Sequence, residues 1–293
     1  MNTGKMSKFD YIFEGLLMLF VGVTAFVCLI PFLHVLAKSI SDSDAVNAGL
    51  VMLIPVGFSL DGYKSILNDS LTMASMAFSI YLTLLKVLLS LTFTACLAYP
   101  LSRKSYKWRR WVTILILFTM YFSGGTIPSY LLVMNLGLLD SVWALIIPSM
   151  LSVYNIIVMR SFFSNISDSL IESVKIDGGS EVRAFFSIVL PLSKPVMATI
   201  ALFYGVSRWN SYSDVVYYIR STNLYTLQMR LQQIVQQNQF AYENEEVLSG
   251  VAYANTEVLK CAVLVFATVP ILVMYPFLQK YFVKGVSLGS VKE

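Results

Sequence analysis

Six separate runs of apolar residues, each long enough to cross a bilayer, constrain this chain more than any other feature. About 18 consecutive apolar residues mark a bilayer-spanning helix. Runs of that kind lie near 14–37, 72–100, 110–130, 141–163, 196–218 and 257–281. Backbone polar groups in lipid must be satisfied within their own segment, so the runs are expected as helices. The expected fold class is all-α, a polytopic membrane protein with six transmembrane helices. Composition agrees: 13% of the residues are charged and 57% are hydrophobic, where soluble domains carry roughly 25% charged residues. Lys5 and Lys8 precede the first run. That run is too long for a signal-peptide core and lacks a small-residue cleavage site, so it reads as an uncleaved first helix.

The net charge of +4 is small; its placement says more. Basic residues gather at the N-terminus (Lys5, Lys8), between the second and third runs (Arg103, Lys104, Lys107, Arg109, Arg110), between the fourth and fifth (Arg160, Lys175, Arg183, Lys194) and at the C-terminus (Lys280, Lys284, Lys292). The opposite side holds Lys38, Lys64, Arg220, Arg230 and Lys260. Lysine and arginine near span ends collect in the cytoplasm, which places both termini there. The outward side then receives two longer segments, 38–71 and 219–256. Within the second, apolar residues at 227, 231, 234 and 235 suit one amphipathic helix, either a cap over the spans or a dock for an outside partner.

Cys28, Cys96 and Cys261 stand singly inside apolar runs, with no paired spacing for a disulfide framework or a zinc site. The single histidine, His34, follows Pro31 at the end of the first run, and no nucleophile-elbow glycine pattern accompanies it. No catalytic or metal-binding residue is therefore assigned. A GxxxxGK[ST] loop is also missing, so the chain has no nucleotide cradle of its own.

Between the fourth and fifth runs lies a polar, sharply turned segment, 168–191. Ser167 or Asp168 is suited to cap a helix beginning near Ser169, with Glu172 in its first turns. Asp177-Gly178-Gly179 is expected to end it, because glycine supplies the left-handed backbone of a sharp turn. A second amphipathic helix from Ser180 to about Val189 places Val182, Phe185, Phe186 and Val189 at helical spacing, with Pro191 and Pro195 stopping it and starting the next span. Two short helices at an angle make a knob that fits a cleft of a soluble partner.

Glu172, Gly178 six residues later, Ile188 ten after that, then Leu190-Pro191 resemble the cytoplasmic coupling signature of ABC importer permeases. Ser173 and Val174 stand where that family has two alanines, which is expected to make the helix surface bulkier at Val174. The resemblance implies that Glu172 is an electrostatic anchor for an ATPase subunit, Asp177 and Gly178 form the turn, and Phe185, Phe186, Ile188, Leu190 and Pro191 belong to the packing surface. Four further stretches narrow it to carbohydrate-uptake permeases of the maltose/multiple-sugar type, oligosaccharide branch. They are Ala98–Arg103, Tyr121–Tyr130 with Leu136–Ser141, Trp209–Tyr212, and Tyr275–Gly285. A type I ABC importer permease-like fold follows, as one transmembrane domain over 1–293. The resemblance also implies a second permease subunit forming a heterodimer, two copies of a cytoplasmic ABC ATPase that bind the ATP, an extracytoplasmic solute-binding protein and an oligosaccharide substrate. Lipid surrounds the chain, and no nucleic acid is among its partners.

Polar and aromatic residues inside spans line a pathway more often than they face lipid. Lys86, Arg208, Asn210, Trp209, Tyr212 and Tyr121 are therefore substrate-pathway candidates, with Phe122 and Tyr130 beside them. For the two cations both readings stay open. They either pair within the bundle, as Arg208 with Asp214, or attract carboxylates of an acidic oligosaccharide such as a uronide. A secondary active transporter is the alternative function; it would need intramembrane acids beyond Asp214 and often internal repeats, which are not seen here.

Overall fold

The computed structural model describes residues 8–243 and 257–276. Among them every regular element is helical, and the one β contact is an isolated bridge between Ser41 and Phe58. In chain order the helices are α1 (Lys8–Ser39), α2 (Ser43–Asn47), α3 (Asp61–Asn68), α4 (Ser70–Ser102), α5 (Arg109–Tyr121), α6 (Thr126–Asn135), α7 (Val142–Ile146), α8 (Val153–Ser164), α9 (Asp168–Ile176), α10 (Glu181–Ala184), α11 (Leu190–Leu192), α12 (Lys194–Asn210), α13 (Ser213–Tyr218) and α14 (Leu227–Glu243). A last helix, α15, covers Glu257–Pro276. The basic C-terminus and most of the Tyr275–Gly285 stretch lie outside the described residues, as do Lys5 and the end of the segment 219–256.

Three spans are single long helices: Tyr11–Ser39, Ser70–Ser102 and Glu257–Pro276. Each of the other three expected spans is a bent pair of helices. The third is bent by 116° between α5 and α6, the fourth by 56° between α7 and α8, and the fifth meets the helical turns before it at 79°, between Leu192 and Lys194. Each break has a local cause. Phe122 is extended and Gly125 takes φ +86, a left-handed conformation open to glycine. A 3₁₀ turn over Ile147–Ser149 carries Pro148, and Ser152 then caps α8 by accepting from the Asn155 N–H. The fifth span also ends early, because Ser211 is extended and Ser213–Tyr218 forms a separate short helix.

The chain divides into two compact units, Met1–Ser70 with Leu231–Thr268 and Leu71–Arg230 with Val269–Glu293. In the first, Ala37, Val46, Val51 and Val258 form a small core. Ser41 ties its loop down, donating to the Ala37 carbonyl at 2.6 Å and accepting from the Val56 N–H at 3.1 Å. The apolar stretch of α1 is buried nowhere within the chain, as expected of a helix that is hydrophobic all round and faces lipid.

In the second unit the main core gathers Ala95 and Ala98 of α4, Met159 and Phe163 of α8, Ile171 of α9, and Phe185, Val189, Val196 and Ile200 further on. A second core holds Leu82, Leu145, Ile146, Val215 and Ile219. Asp140, with φ 57, joins the α6–α7 loop to the segment after α13. Its carboxylate accepts from the Ser221 hydroxyl at 2.5 Å and from the N–H groups of Ser221 and Arg220 at 2.8 and 3.0 Å. Those donors, the Ser221 hydroxyl first, hold its pKa below the ordinary carboxylate value. A carboxyl whose pKa is depressed by folding stabilises above its unfolded value and loses that contribution as pH falls through the folded one.

Candidate functional site

The turned segment 168–191 is built as a braced knob. Ser167, not Asp168, caps α9, its hydroxyl accepting from the Ser169 N–H. At the other end Gly178 sits at φ +78, its N–H donating to Lys175 O at 3.0 Å while the Gly179 N–H donates to Val174 O at 2.7 Å. That pair of bonds is the Schellman closure, which satisfies the last carbonyls of a helix through a left-handed residue.

Asp168 and Glu181 anchor the knob to the end of α4. Arg103 donates to Asp168 at 3.2 Å and to the Phe163 carbonyl at 3.1 Å, with its guanidinium 5.1 Å from the centre of the Tyr99 ring. The Tyr99 hydroxyl donates to Glu181 at 2.7 Å, and Lys175 reaches the same carboxylate at 2.5 Å. A charged hydrogen-bond set with a buried member such as Arg103 is directional and costly to break.

What the knob presents outward differs in part from the sequence expectation. Glu172 is exposed and makes no ion pair with any described residue. Ile176 is 85% exposed, and Val182 and Phe186 are each more than 60% exposed. Ile188 and Leu190 are half-buried and Pro191 is exposed. Phe185, expected on the packing surface, instead turns into this chain's own core, in ring contact with Tyr99 at 4.9 Å and Phe163 at 6.5 Å. Val174 also packs inward, its Cγ1 against Gly179, so part of its extra bulk is taken up within the knob.

The second helix is shorter and less regular than expected: α10, a π turn over Phe185–Val189, then α11. Pro191 does not stop it. The wide π turn shifts the donor register ahead of a residue with no N–H to give, and the helix runs on to Leu192. Pro195 does begin the next span, in the first turn of α12.

Within the second unit, α4, α8 with the turn ahead of it, and α12 border an open-mouthed cavity of about 500 Å³ lined by Lys86, Ser149, Ser152, Tyr154, Asn155, Phe203, Tyr204 and Ser207, with Leu151. Lys86 lies midway along α4, is 5% exposed, and donates to the Ser149 hydroxyl at 2.6 Å. The Tyr204 hydroxyl receives the Ser152 N–H at 3.1 Å and pairs with Thr94 at 2.8 Å, pinning the break in the fourth span.

Arg208 takes the other course that the sequence left open. It is 2% exposed and forms an ion pair through both terminal nitrogens with Asp214, while donating to the carbonyls of Ser211 and Leu145. Trp209 lines a separate, almost wholly apolar cavity of about 490 Å³ among α4, α12 and Pro270–Tyr275. The Asn210 side chain is spent on the Val206 carbonyl. Tyr121 is 79% exposed and Tyr212 40%, and neither reaches the Lys86 cavity.

Sequence reasoning missed Ser149, Ser152, Tyr154, Asn155, Tyr204 and Ser207. A signal was present: Ser75, Ser79, Lys86, Ser90 and Thr94 recur at helical spacing along α4 and all are buried, a polar seam inside an otherwise apolar span.

His34 Nδ1 lies 2.6 Å from the Met52 carbonyl oxygen, a bond that employs the ring in joining α1 to the following loop rather than in acid–base chemistry.

Comparison with known proteins agrees with this architecture. The family described as "Binding-protein-dependent transport system inner membrane component" matches residues 90–288. The chain is 41% identical over 288 residues to the polygalacturonan/rhamnogalacturonan transport system permease protein YtcP of Bacillus subtilis, covering 98% of this chain and 99% of the relative. It is 40% identical over 291 residues to protein LplC of the same organism, covering 99% and 98%. Among solved structures, a chain of a bacterial ABC transporter involved in the import of the acidic polysaccharide alginate superposes with a TM-score of 0.85 at 33% identity, over 96% of this chain and 100% of that one. These findings set aside the secondary-transporter alternative. The chain belongs to the family of binding-protein-dependent transport system inner membrane components, as a multi-pass permease of an ABC importer in the bacterial cytoplasmic membrane.

Proposed function

We propose that this chain is the shorter, six-span permease subunit of an ATP-driven importer for oligosaccharides that carry uronate carboxylates. Support for the substrate class comes from relatives whose names specify polygalacturonan, rhamnogalacturonan and alginate. The chain works as one permease domain over 1–293 and supplies half of a translocation path, the other half coming from a second permease. Two copies of an ABC ATPase bind and hydrolyse ATP on the cytoplasmic side, and a solute-binding protein delivers the sugar from outside. The basic residues flanking the spans support a cytoplasmic placement of both termini and of 168–191.

One observation carries the coupling role: Glu172 stands exposed without an ion pair on a helix closed at both ends, beside outward Ile176, Val182 and Phe186. An apolar patch around a free charge is the surface a soluble partner desolvates on docking. Glu172 therefore meets a basic group of the ATPase, and the knob's rigid tie to α4 through Arg103 and Tyr99 carries the motor's movement to the spans.

The test is reconstitution of the complex with its partner chains in proteoliposomes. Glu172→Lys should insert normally yet lower ATP-driven trigalacturonate uptake by about tenfold or more, since like charges across an interface cost several kcal/mol. Gly178→Val should act in the same direction. Full uptake by either variant, with the ATPase still co-purifying, would sink the docking role.

A further inference from the structure

Lys86 poses a charge problem that the described residues do not solve. It sits at mid-span, where a cation is tolerated only beside a counter-charge, water or a substrate route. The nearby acid is already committed. Asp214 Oδ1 accepts from Arg208, the Ser211 hydroxyl and the Val215 N–H, and Oδ2 is held by Arg208. Lys86 makes no ion pair with a described residue, and the Ser149 hydroxyl takes one of its three ammonium donors. Taken together, Lys86, Arg208 and Asp214 leave one positive charge, and Lys86 is the cation that borders the cavity.

The surroundings of that charge fit a sugar acid. Ser149, Asn155 and Ser207 offer hydroxyl and amide groups, and Tyr154 and Phe203 bring two rings 6.1 Å apart to the same cavity. A volume of about 500 Å³ lies in the range of about 300–1,000 Å³ typical of small-molecule sites. Hydroxyl-rich rings suit the polar groups, and a carboxylate is the ligand group that neutralises the ammonium.

We infer that Lys86 is the specificity residue of the translocation path, holding the carboxylate of each uronate residue as it crosses the membrane, while Arg208 serves only to lock α12 to α13. The inference rests on the importer reading above and adds a named residue to it. A salt-like contact to a buried ammonium discriminates against a neutral analogue, because the ammonium, 5% exposed, would then be left without its partner.

Uptake of trigalacturonate and of its fully methyl-esterified form by the reconstituted complex tests it. Lys86→Met should lower the acid-to-ester uptake ratio by about tenfold or more, and Lys86→Arg, which keeps the charge, should hold it within about threefold of the wild-type ratio. Ser207→Asp gives a second route with Lys86 intact: a resident carboxylate competes for the ammonium and should depress the same ratio, which also covers poor assembly of the Met variant. Equal effects on acid and ester in both Lys86→Met and Ser207→Asp would overturn the role of Lys86 and leave the importer reading standing. A wild-type complex that imports neither probe would overturn the importer reading itself.

Discussion

At the residue scale, charge pairing separates two cations that looked alike in the sequence. Lys86 and Arg208 both interrupt apolar runs, and of the two readings open to them the structure gives pairing to Arg208, with Asp214 folded back onto it across the turn at Ser211. An arginine and an aspartate six positions apart carry no fixed geometry unless the helix between them is known to end, and here it ends at Asn210. Removing one member of a buried pair strands the other, at a cost of about 3–5 kcal/mol, whereas replacing both by apolar residues of similar size is close to neutral. Arg208→Met should accordingly lower the thermal stability of the purified complex by about that amount. The double variant Arg208→Met with Asp214→Leu should recover most of it, read from the unfolding midpoint. A double variant no better than the single one would mean the pair is not the unit.

At the element scale, the capped α9 and its glycine closure were legible, because Asp-Gly-Gly after an amphipathic turn has few other uses. Gly178 meets no atom within 4 Å of a built Cβ, so its constraint is conformational alone. Gly178→Ala should cost about 1–2 kcal/mol, the usual penalty for an L-residue in the left-handed region. Gly179→Ala should cost more, since its Cβ would stand 2.5 Å from Val174 Cγ1 and 2.8 Å from the Val174 carbonyl oxygen, and Val174→Ala would relieve only the first contact. Circular dichroism and melting of the complex check the order; a harmless Gly179→Ala would refute the close packing. The amphipathic stretch beginning at Leu227 was equally readable, and α14 forms with Leu227 and Leu231 buried. Bends in the third, fourth and fifth spans were not, although the glycine pair at 124–125 stands at the first of them. Apolar length states that a segment crosses, but axis direction depends on where a single residue such as Ser152 takes over from the backbone ladder. Helical spacing grouped Phe185 with Phe186, yet adjacent helical residues point about 100° apart, and here Phe185 turns inward while Phe186 stays outside.

At the scale of the whole molecule, the arrangement of positive charge makes a topological statement that can be checked without a transport assay. In a background with Cys28, Cys96 and Cys261 replaced, Ser180→Cys should react with a membrane-impermeant maleimide only in inside-out vesicles, and Ser59→Cys only in right-side-out cells. Both rest on the bias of lysine and arginine toward the cytoplasm, and a reversed pattern would invert the orientation. The family was legible over almost the entire length because it is written in turn chemistry and in short motifs that keep a fixed order along the spans. The cavity around Lys86 was not, because its walls come from three helices and no single stretch carries its pattern. Only the seam of hydroxyls along α4, read as a helical face rather than as scattered serines, pointed toward it.

The five-residue π stretch ahead of Pro191 sets the angular phase between the knob and the span that follows. An α-helix advances about 100° per residue, and a π turn fits one more residue into nearly the same angle. Deleting Ser187 should therefore let the backbone relax to ordinary α winding with Glu172 and Phe186 still aimed as they are now. Adding a residue where no wide turn absorbs it would instead swing both by roughly a quarter turn, leaving their chemistry intact but aiming it elsewhere.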